Sequence, residues 1–195
     1  MAYLTKSKLK QYLGIPNDIT NEDTMFDDLI ERVQAFIERY TARVFEKPTE
    51  PSVRKYNAKC DVHEHHRLLL LDHDLLSVES ITNGDGNPIL PEQYVLLPAN
   101  FSPKYAIKLL WSGNSYWTWE TDPEEAIQVE GFWCFSETVP PDVEHCMIRL
   151  CTYLYRQKDN AGEFDRTILA GNSTLLPTQI PRDILDYLAP YVRQF

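Results

Sequence analysis

The stretch AIQVEGFWCFSETVPPDVEHCMIRLCTYLY, residues 126–155, changes its hydrophobic period halfway along. In its first part Ile127, Val129 and Gly131 alternate with polar or aromatic residues, a period of two that is typical of a β-strand. After Pro140 the apolar residues recur every three or four positions, which predicts a helix. This one stretch therefore predicts both a sheet and a helical layer, and so an α+β fold.

The helix predicted after Pro140 is apolar around most of its circumference. Proline suits the first helical position, and Asp142 suits the positive end of the helix dipole. The residues of the expected buried stripe are Val143, Cys146, Met147, Leu150 and Leu154, which Ile148, Cys151, Tyr153 and Tyr155 widen. A helix of this kind must be covered by other elements or by other subunits.

Two helices are predicted before the sheet. A short one spans residues 5–13, with Thr5 as its N-cap and Gly14 as a left-handed C-cap. A longer one follows residues 20–23, whose sequence TNED has the form of a capping box. Its apolar residues have helical spacing: Phe26, Leu29, Ile30, Val33, Phe36, Ile37 and Tyr40.

The region between the helices has a sequence pattern typical of short β-strands. Six are predicted, at residues 53–58, 67–71, 77–82, 94–97, 105–111 and 126–133. The sequence NGDGNP at 83–88 predicts a tight turn. Because the strands are short and closely spaced, we expect an antiparallel sheet.

The C-terminal part is expected to complete a helical bundle. Residues 159–178 predict a long polar loop, and residues 181–193 predict an amphipathic helix that Pro190 kinks or shortens. We therefore expect a bundle of about four helices with an inserted antiparallel β region between the second and third long helices. The expected domains are a helical part at 1–50, the β region at 51–136, and a helical part with a partner-binding tail at 137–195.

Composition narrows the class of protein. The chain has 195 residues, 43% of them hydrophobic, and a net charge of -10. An acidic chain is a poor candidate for tight binding to nucleic acid or to an anionic membrane, although an acidic wall could line a channel for DNA. No membrane span is predicted, because the longest apolar runs, such as 68–71, are short, and no secretory signal is predicted, because residues 1–10 lack an apolar core. Four cysteines without a CxxC pair are expected to be reduced, in a cytoplasmic setting: Cys60, Cys134, Cys146 and Cys151.

The residues that could bind metal cluster between Cys60 and Asp74. The spacing of His63, His65 and His66 is not the HExxH arrangement, so we predict no metal site there. A metal-dependent hydrolase centred on His63, His65 and His73 is kept as an alternative. Residues 83–87 resemble a calcium loop only faintly, and a hairpin turn is favoured. The chain has no phosphate-binding loop, GxSxG or dinucleotide motif, so no catalytic residue and no cofactor is predicted.

The most unusual composition is the Trp-rich segment, residues 111–119. It contains Trp111, Tyr116, Trp117 and Trp119 beside serine, glycine and asparagine. Such aromatic residues could cover the β core or anchor a subunit interface, and either role is favoured over stacking on sugars or bases. A carbohydrate- or peptide-binding module that uses this Trp-rich β region is the alternative function.

Three groups of residues resemble a known family, the head–tail connector (adaptor, head-completion) proteins of long-tailed phages and gene transfer agents. The first group is LTKSKLKQYLG (4–14) with LIERVQAFIERYT (29–41). The second is LLLL (68–71) with SVESI (77–81) and YVL (94–96). The third is IQVEGFW (127–133) with VPPDV (139–143).

The resemblance implies a structural protein without catalytic activity. It implies a ring, typically of about twelve copies, that docks on the portal protein and surrounds the DNA exit channel. A stopper or tail-completion protein would bind the opposite side, and the DNA would pass without sequence-specific contacts. The protein would be assembled in the host cytoplasm, would reside in the neck of the virion, and would not contact a membrane.

The expected surplus of apolar helix surface predicts where partners bind. That surplus lies on the helix at 143–155 and on the C-terminal segment at 184–195, and we expect the C-terminal segment to contact a partner. Separately, we expect the Trp-rich segment to project from the β region toward a neighbour. The candidate interface residues are Trp111, Tyr116, Trp117, Trp119, Ile184, Tyr187, Leu188, Tyr191 and Phe195.

Overall fold

The protein is α+β, as the change of period predicts. The computed structural model describes residues 2–63, 65, 67–157, 169–170, 173–174 and 180–193. Within them lie the helices α1 (Lys6–Leu13), α2 (Asp23–Thr41), α3 (Pro141–Gln157) and α4 (Arg182–Leu188). The strands are β1 (Ser52–Tyr56), β2 (Val62–His63), β3 (Leu68–Leu75), β4 (Ser77–Thr82), β5 (Tyr94–Leu97), β6 (Lys104–Leu109), β7 (Ile127–Phe132), β8 (Leu169–Ala170) and β9 (Ser173–Thr174).

The chain divides into two compact units. The helical unit comprises Met1–Ala42 and Val139–Phe195, and the β unit comprises Arg43–Thr138. Each unit has its own buried core of apolar side chains.

Helix α1 has the two caps that its sequence predicts. The Thr5 hydroxyl accepts a hydrogen bond from the Lys8 backbone N–H at 3.4 Å. Gly14 ends the helix with a φ of 74°, a conformation that glycine adopts without steric cost. The bounds of this short helix are therefore set by local chemistry.

Helix α2 does not form the predicted capping box. Glu22 occupies the N-cap position and makes no capping hydrogen bond through its side chain. The Asp23 carboxylate instead pairs with the Lys6 ammonium at 3.3 Å and with the Lys10 ammonium. Lys10 is buried and also donates to the Ile19 carbonyl at 2.7 Å, so tertiary pairing replaces the local cap.

We expect the Asp23 pairing to make the helical unit sensitive to acid. The Lys10 ammonium, together with Lys6, holds the pKa of Asp23 below its usual value of 3.8. A carboxyl with a lowered pKa in the folded state adds stability that is present above pH 3.8 and is lost as the pH falls through the folded pKa. Acid titration followed by circular dichroism should show this loss in the wild type and a flatter profile in Asp23→Asn. The variant Asp28→Asn, an exposed position on the same helix, should follow the wild type.

Helix α3 is covered mainly by its own chain. It packs against α1, α2 and α4, and its buried residues are Val143, Cys146, Met147, Ile148, Leu150, Cys151 and Thr152. Tyr155 packs on the Phe26 ring with centroids 5.1 Å apart and donates its hydroxyl to Glu22 at 2.7 Å. The expectation that Leu154 is buried is wrong, since it is 36% exposed. Internal helix packing thus covers most of the surface that was expected to need other subunits.

Helix α4 ends where Pro190 predicts. The α-helical hydrogen bonding stops at Leu188, and a 3-10 turn at Ala189–Tyr191 contains the proline. The Arg193 N–H then donates to the Thr41 carbonyl at 2.9 Å. This hydrogen bond joins the segment after α4 to the end of α2. Of the predicted loop at 159–178, the structure describes only 169–170 and 173–174, which pair as β8 and β9.

The β unit consists of two antiparallel sheets. One has the strand order β1-β7-β4, and the other has the order β2-β3-β6-β5. The six predicted strands are all present, five of them with shifts of two residues or fewer at their ends. The strand predicted at 67–71 continues to Leu75, and β2, which was not predicted, is only two residues long. Residues of both sheets meet in one core: Tyr56, Leu69, Leu71, Leu75, Ile81, Ile107, Leu109, Ile127, Val129 and Trp133.

Candidate functional site

The Trp-rich segment places its four aromatic residues in different environments. Trp117 is 8% exposed, belongs to the β core, and donates its indole N–H to the Arg67 carbonyl at 3.1 Å. Trp111, Tyr116 and Trp119 are 65%, 52% and 38% exposed. Three of the four aromatic side chains are therefore available on the surface, and Trp117 is not.

Arg67 organises this segment, and sequence reasoning missed it. Its guanidinium carbon lies 4.1 Å from the ring centre of Trp111 and 3.8 Å from that of Tyr116, in cation–π geometry. Its Nη1 donates to the Ser115 carbonyl at 3.0 Å, although the residue is only 4% exposed. In the sequence, Arg67 is marked only by its position directly before the apolar run at 68–71.

The NGDGNP turn anchors the same segment from the other side. The Asn83 amide donates to the Tyr116 carbonyl and to the Thr118 hydroxyl, both at 2.9 Å. The Asn83 carbonyl accepts from the Gly86 N–H at 2.9 Å, which closes the tight turn. A hydrogen bond from the Asn87 backbone lowers the pKa of Asp85. The polar groups of this turn thus serve structural hydrogen bonds.

A cleft of about 310 Å³ opens beside these aromatic residues. His65, Arg67, Tyr116, Trp117 and Trp119 line it, together with Ala58 and Val62. The Arg67 guanidinium already lies over the rings of Trp111 and Tyr116, so less ring surface is left for a sugar or base to stack on. Of the exposed aromatic residues that line the cleft, Tyr116 is in contact with Arg67, and Trp119 is 38% exposed.

The histidines singled out in the sequence are dispersed. His63 lies in β2, His65 is exposed, and His73 lies in β3, where its Nδ1 is 2.7 Å from Arg54 Nη1. His73 is also 2.9 Å from the Asp72 carboxylate, which accepts the Tyr56 hydroxyl at 2.7 Å. Across the residues that the structure describes, which exclude Glu64 and His66, no group of three or more histidine, cysteine or acidic side chains could hold a metal ion.

The cysteines differ in accessibility. Cys60 is exposed, and the other three are buried. Burial raises the pKa of Cys134 to about 11 and that of Cys151 to about 12, and it raises the pKa of Cys146 as well. Because the thiolate is the reactive form, these three buried thiols are poor nucleophiles at neutral pH.

The C-terminal candidates are also divided between core and surface. Ile184 and Leu188 are buried in the helical unit, at 1% and 0% exposure. Tyr187 is 54% exposed, and Tyr191 is half-buried with its hydroxyl 3.4 Å from Asp142. Phe195 lies outside the described residues. Tyr187 is thus the most exposed of the candidates on α4.

The helical unit carries two surface grooves of opposite charge. The basic groove, of about 400 Å³, is lined by Tyr12, Arg149, Arg156 and Pro181 among others. The acidic groove, of about 560 Å³, lies along α2, and its lining includes Asp27, Glu31 and Glu38. Lys6 also lines it and pairs with Asp27 at 2.8 Å, so Glu31 and Glu38 carry its remaining negative charge. No helix in the described part of the chain is long and apolar enough to cross a membrane.

Comparison with known proteins identifies structural relatives only. No family model and no curated protein matches the sequence. Among solved structures, a chain from the neck of an empty gene transfer agent (GTA) particle, computed with C6 symmetry, matches with a TM-score of 0.60. The match covers 99% of this chain and 92% of that chain at 16% identity. A chain from the neck of a native GTA particle, computed with C12 symmetry, matches with a TM-score of 0.49 over 89% and 90% of the two chains, at 13% identity.

The first of these matches extends over nearly the whole of both chains, and it includes helices as well as sheets. At this level of identity the likeness concerns the fold. The chain therefore has the fold of a protein found in the neck of a gene transfer agent particle.

Proposed function

We propose that this protein is a structural head–tail connector, or adaptor, of a tailed phage or a gene transfer agent. In the proposed particle, about twelve copies form a ring that docks on the portal protein and surrounds the DNA channel. The observation that carries the proposal is the fold shared with a neck protein over 99% of this chain. A stopper or tail-completion protein is the proposed partner on the other side of the ring.

The charge of the chain supports this role. At a net charge of -10, the ring would present an acidic protein to the DNA, and like charges disfavour adhesion of a passing duplex. The proposal therefore includes no sequence-specific DNA contact, no membrane contact and no catalytic residue or cofactor. It places the mature protein in the neck of the virion, after assembly in the host cytoplasm.

The exposed aromatic residues are the proposed contacts with neighbouring proteins. Trp111, Tyr116, Trp119 and Tyr187 each expose more than a third of their surface. Tyrosine and tryptophan are enriched among the residues that dominate binding energy at interfaces. Trp117, Ile184 and Leu188 are excluded from this role because their side chains are buried in the chain itself.

Electron microscopy of the chain mixed with its portal protein tests the proposal. We expect a ring of added density on the portal, and portal binding about ten-fold weaker for Tyr187→Ala, as for a moderate interface hot spot. Tyr105→Ala is the matched control, because Tyr105 is 51% exposed in the β unit. Deleting the C-terminal helix is a poorer test, since it removes Ile184 and Leu188 from the core. A portal that gains no density at saturating concentrations contradicts the proposal.

The carbohydrate- or peptide-binding alternative rests on the cleft beside the Trp-rich segment. Trp119 and Tyr116 line that cleft and are partly exposed. Titration of the isolated chain with glycans and with peptides, compared with Trp119→Ala, tests it. Trp117→Ala is unsuitable for this purpose because it disturbs the β core. Binding that Trp119→Ala abolishes would favour the alternative.

A further inference from the structure

The basic groove presents two arginines at a fixed spacing. Arg149 and Arg156 are seven residues apart on α3, so they lie on the same side of the helix, about 10.5 Å apart along its axis. Arg149 pairs with Asp183 and keeps about a third of its side chain exposed. Arg156 is exposed, and no acidic residue in the described part of the chain pairs with it. Tyr12, 52% exposed, adds a bulky side chain to this groove.

The acidic groove presents two carboxylates at the same spacing. Glu31 and Glu38 are also seven residues apart, on α2, and so lie about 10.5 Å apart along that helix. Glu38 accepts from the Gln34 amide at 3.0 Å, but no lysine or arginine among the described residues pairs with Glu31 or Glu38. Ala35 is exposed between them and leaves room for a larger side chain.

We propose that the basic groove of one copy binds the acidic groove of the next copy, so that these two surfaces form the contact between subunits. This inference rests on the proposed function and specifies its ring interface. The occupant is a second copy because the complementary surface, with opposite charges at equal spacing, is present on the same chain. Two different surfaces that bind each other make a head-to-tail contact, which is the kind that generates rings.

The overall charge favours a contact at which opposite charges meet. Identical copies with a net charge of -10 repel one another, and opposite charges that meet at a contact offset part of this repulsion. The arginines supply the positive side of such a contact and the glutamates the negative side. We therefore expect self-association to weaken as salt screens the charges.

Charge reversal on each side tests the interface. The first variant, Arg156→Glu, reverses a charge in the basic groove. The second combines Glu31→Arg with Glu38→Arg and reverses the acidic groove. Sedimentation velocity in dilute buffer measures the self-association of each variant. Each variant alone should associate at least about ten-fold more weakly than the wild type, because like charges then face each other. An equimolar mixture should associate more tightly than either variant alone, since the unaltered acidic groove of one variant then meets the unaltered basic groove of the other. Lys59→Glu, at an exposed position of the β unit, is the control for the change in net charge and should leave association unchanged.

Three results would overturn the inference. They are a wild-type chain that stays monomeric at about 1 mM, single-sided variants that associate like the wild type, and a mixture that stays as weak as its components. Circular dichroism of each variant shows that it is folded before its association is measured. Electron microscopy with the portal separates the two proposals: if the variants still form normal rings on the portal, this interface is wrong while the connector function stands. A wild-type chain that does not bind the portal contradicts the connector function instead.

Discussion

Replacing Trp117 with alanine is expected to destabilise the β unit by about 3–5 kcal/mol, the range for removing a large aromatic side chain from a core. Trp117 is 8% exposed and packs in the cluster of residues that both sheets share. The substitution also leaves the Arg67 carbonyl without the indole donor that it accepts from at 3.1 Å. Urea unfolding followed by tryptophan fluorescence and by circular dichroism measures the loss.

Trp111→Ala is the matched control for Trp117→Ala. Trp111 is 65% exposed and makes a cation–π contact with Arg67 at 4.1 Å. Its removal should cost about 1 kcal/mol or less. If the two variants lost the same free energy of unfolding, the assignment of Trp117 to the core would be contradicted. Trp111 and Trp117 would then be packed to a similar extent.

Replacing Gly131 with alanine is expected to destabilise the same unit by about 2–3 kcal/mol, because the central strand β7 has no space for a side chain there. A Cβ at this position would lie 2.9 Å from Leu75 Cδ1 and would overlap the Ser77 carbonyl oxygen. Gly131 is paired with both Ser52 and Val78, so the backbone cannot shift without disturbing two neighbouring strands. Equilibrium unfolding in urea measures this effect.

Gly113→Ala provides the comparison for Gly131→Ala. A Cβ at Gly113 would have its nearest neighbour, Ser115 Oγ, at 3.5 Å, an ordinary van der Waals contact. This variant should remain within about 1 kcal/mol of the wild type, and the lower entropy of its unfolded chain could offset any loss. A Gly131→Ala protein as stable as Gly113→Ala would show that β4 and β7 do not approach each other this closely.

Much of the fold could be predicted from local patterns. The strands at 77–82 and 94–97 have the bounds that the sequence predicts, and Gly14 and Pro190 end their helices as expected. These features depend on residues within one turn or one strand of each other, so a short window of sequence is enough to predict them. The capping box predicted at 20–23 does not form, because the Asp23 carboxylate pairs with Lys6 and Lys10, which lie outside the segment used for that prediction.

The candidate surfaces could be predicted only in part. Trp111, Tyr116, Trp117 and Trp119 have similar composition around them, yet Trp117 alone of the four is buried. Arg67 decides this arrangement from more than forty residues away, through its carbonyl and its guanidinium. The two charged grooves on the helical unit were not predicted either, because each depends on which residues of two or more segments lie side by side.

By itself the sequence determined the type and approximate bounds of the regular elements, since helical and strand periods, caps and prolines act between residues that are near in the chain. The tertiary structure decided which of the apolar side chains are covered. It buried Ile184 and Leu188 against their own helical unit and left Tyr187 exposed, although all three lie on one seven-residue helix. The physical reason is that burial depends on neighbours supplied by distant parts of the chain, and periodicity carries no information about which neighbours those are.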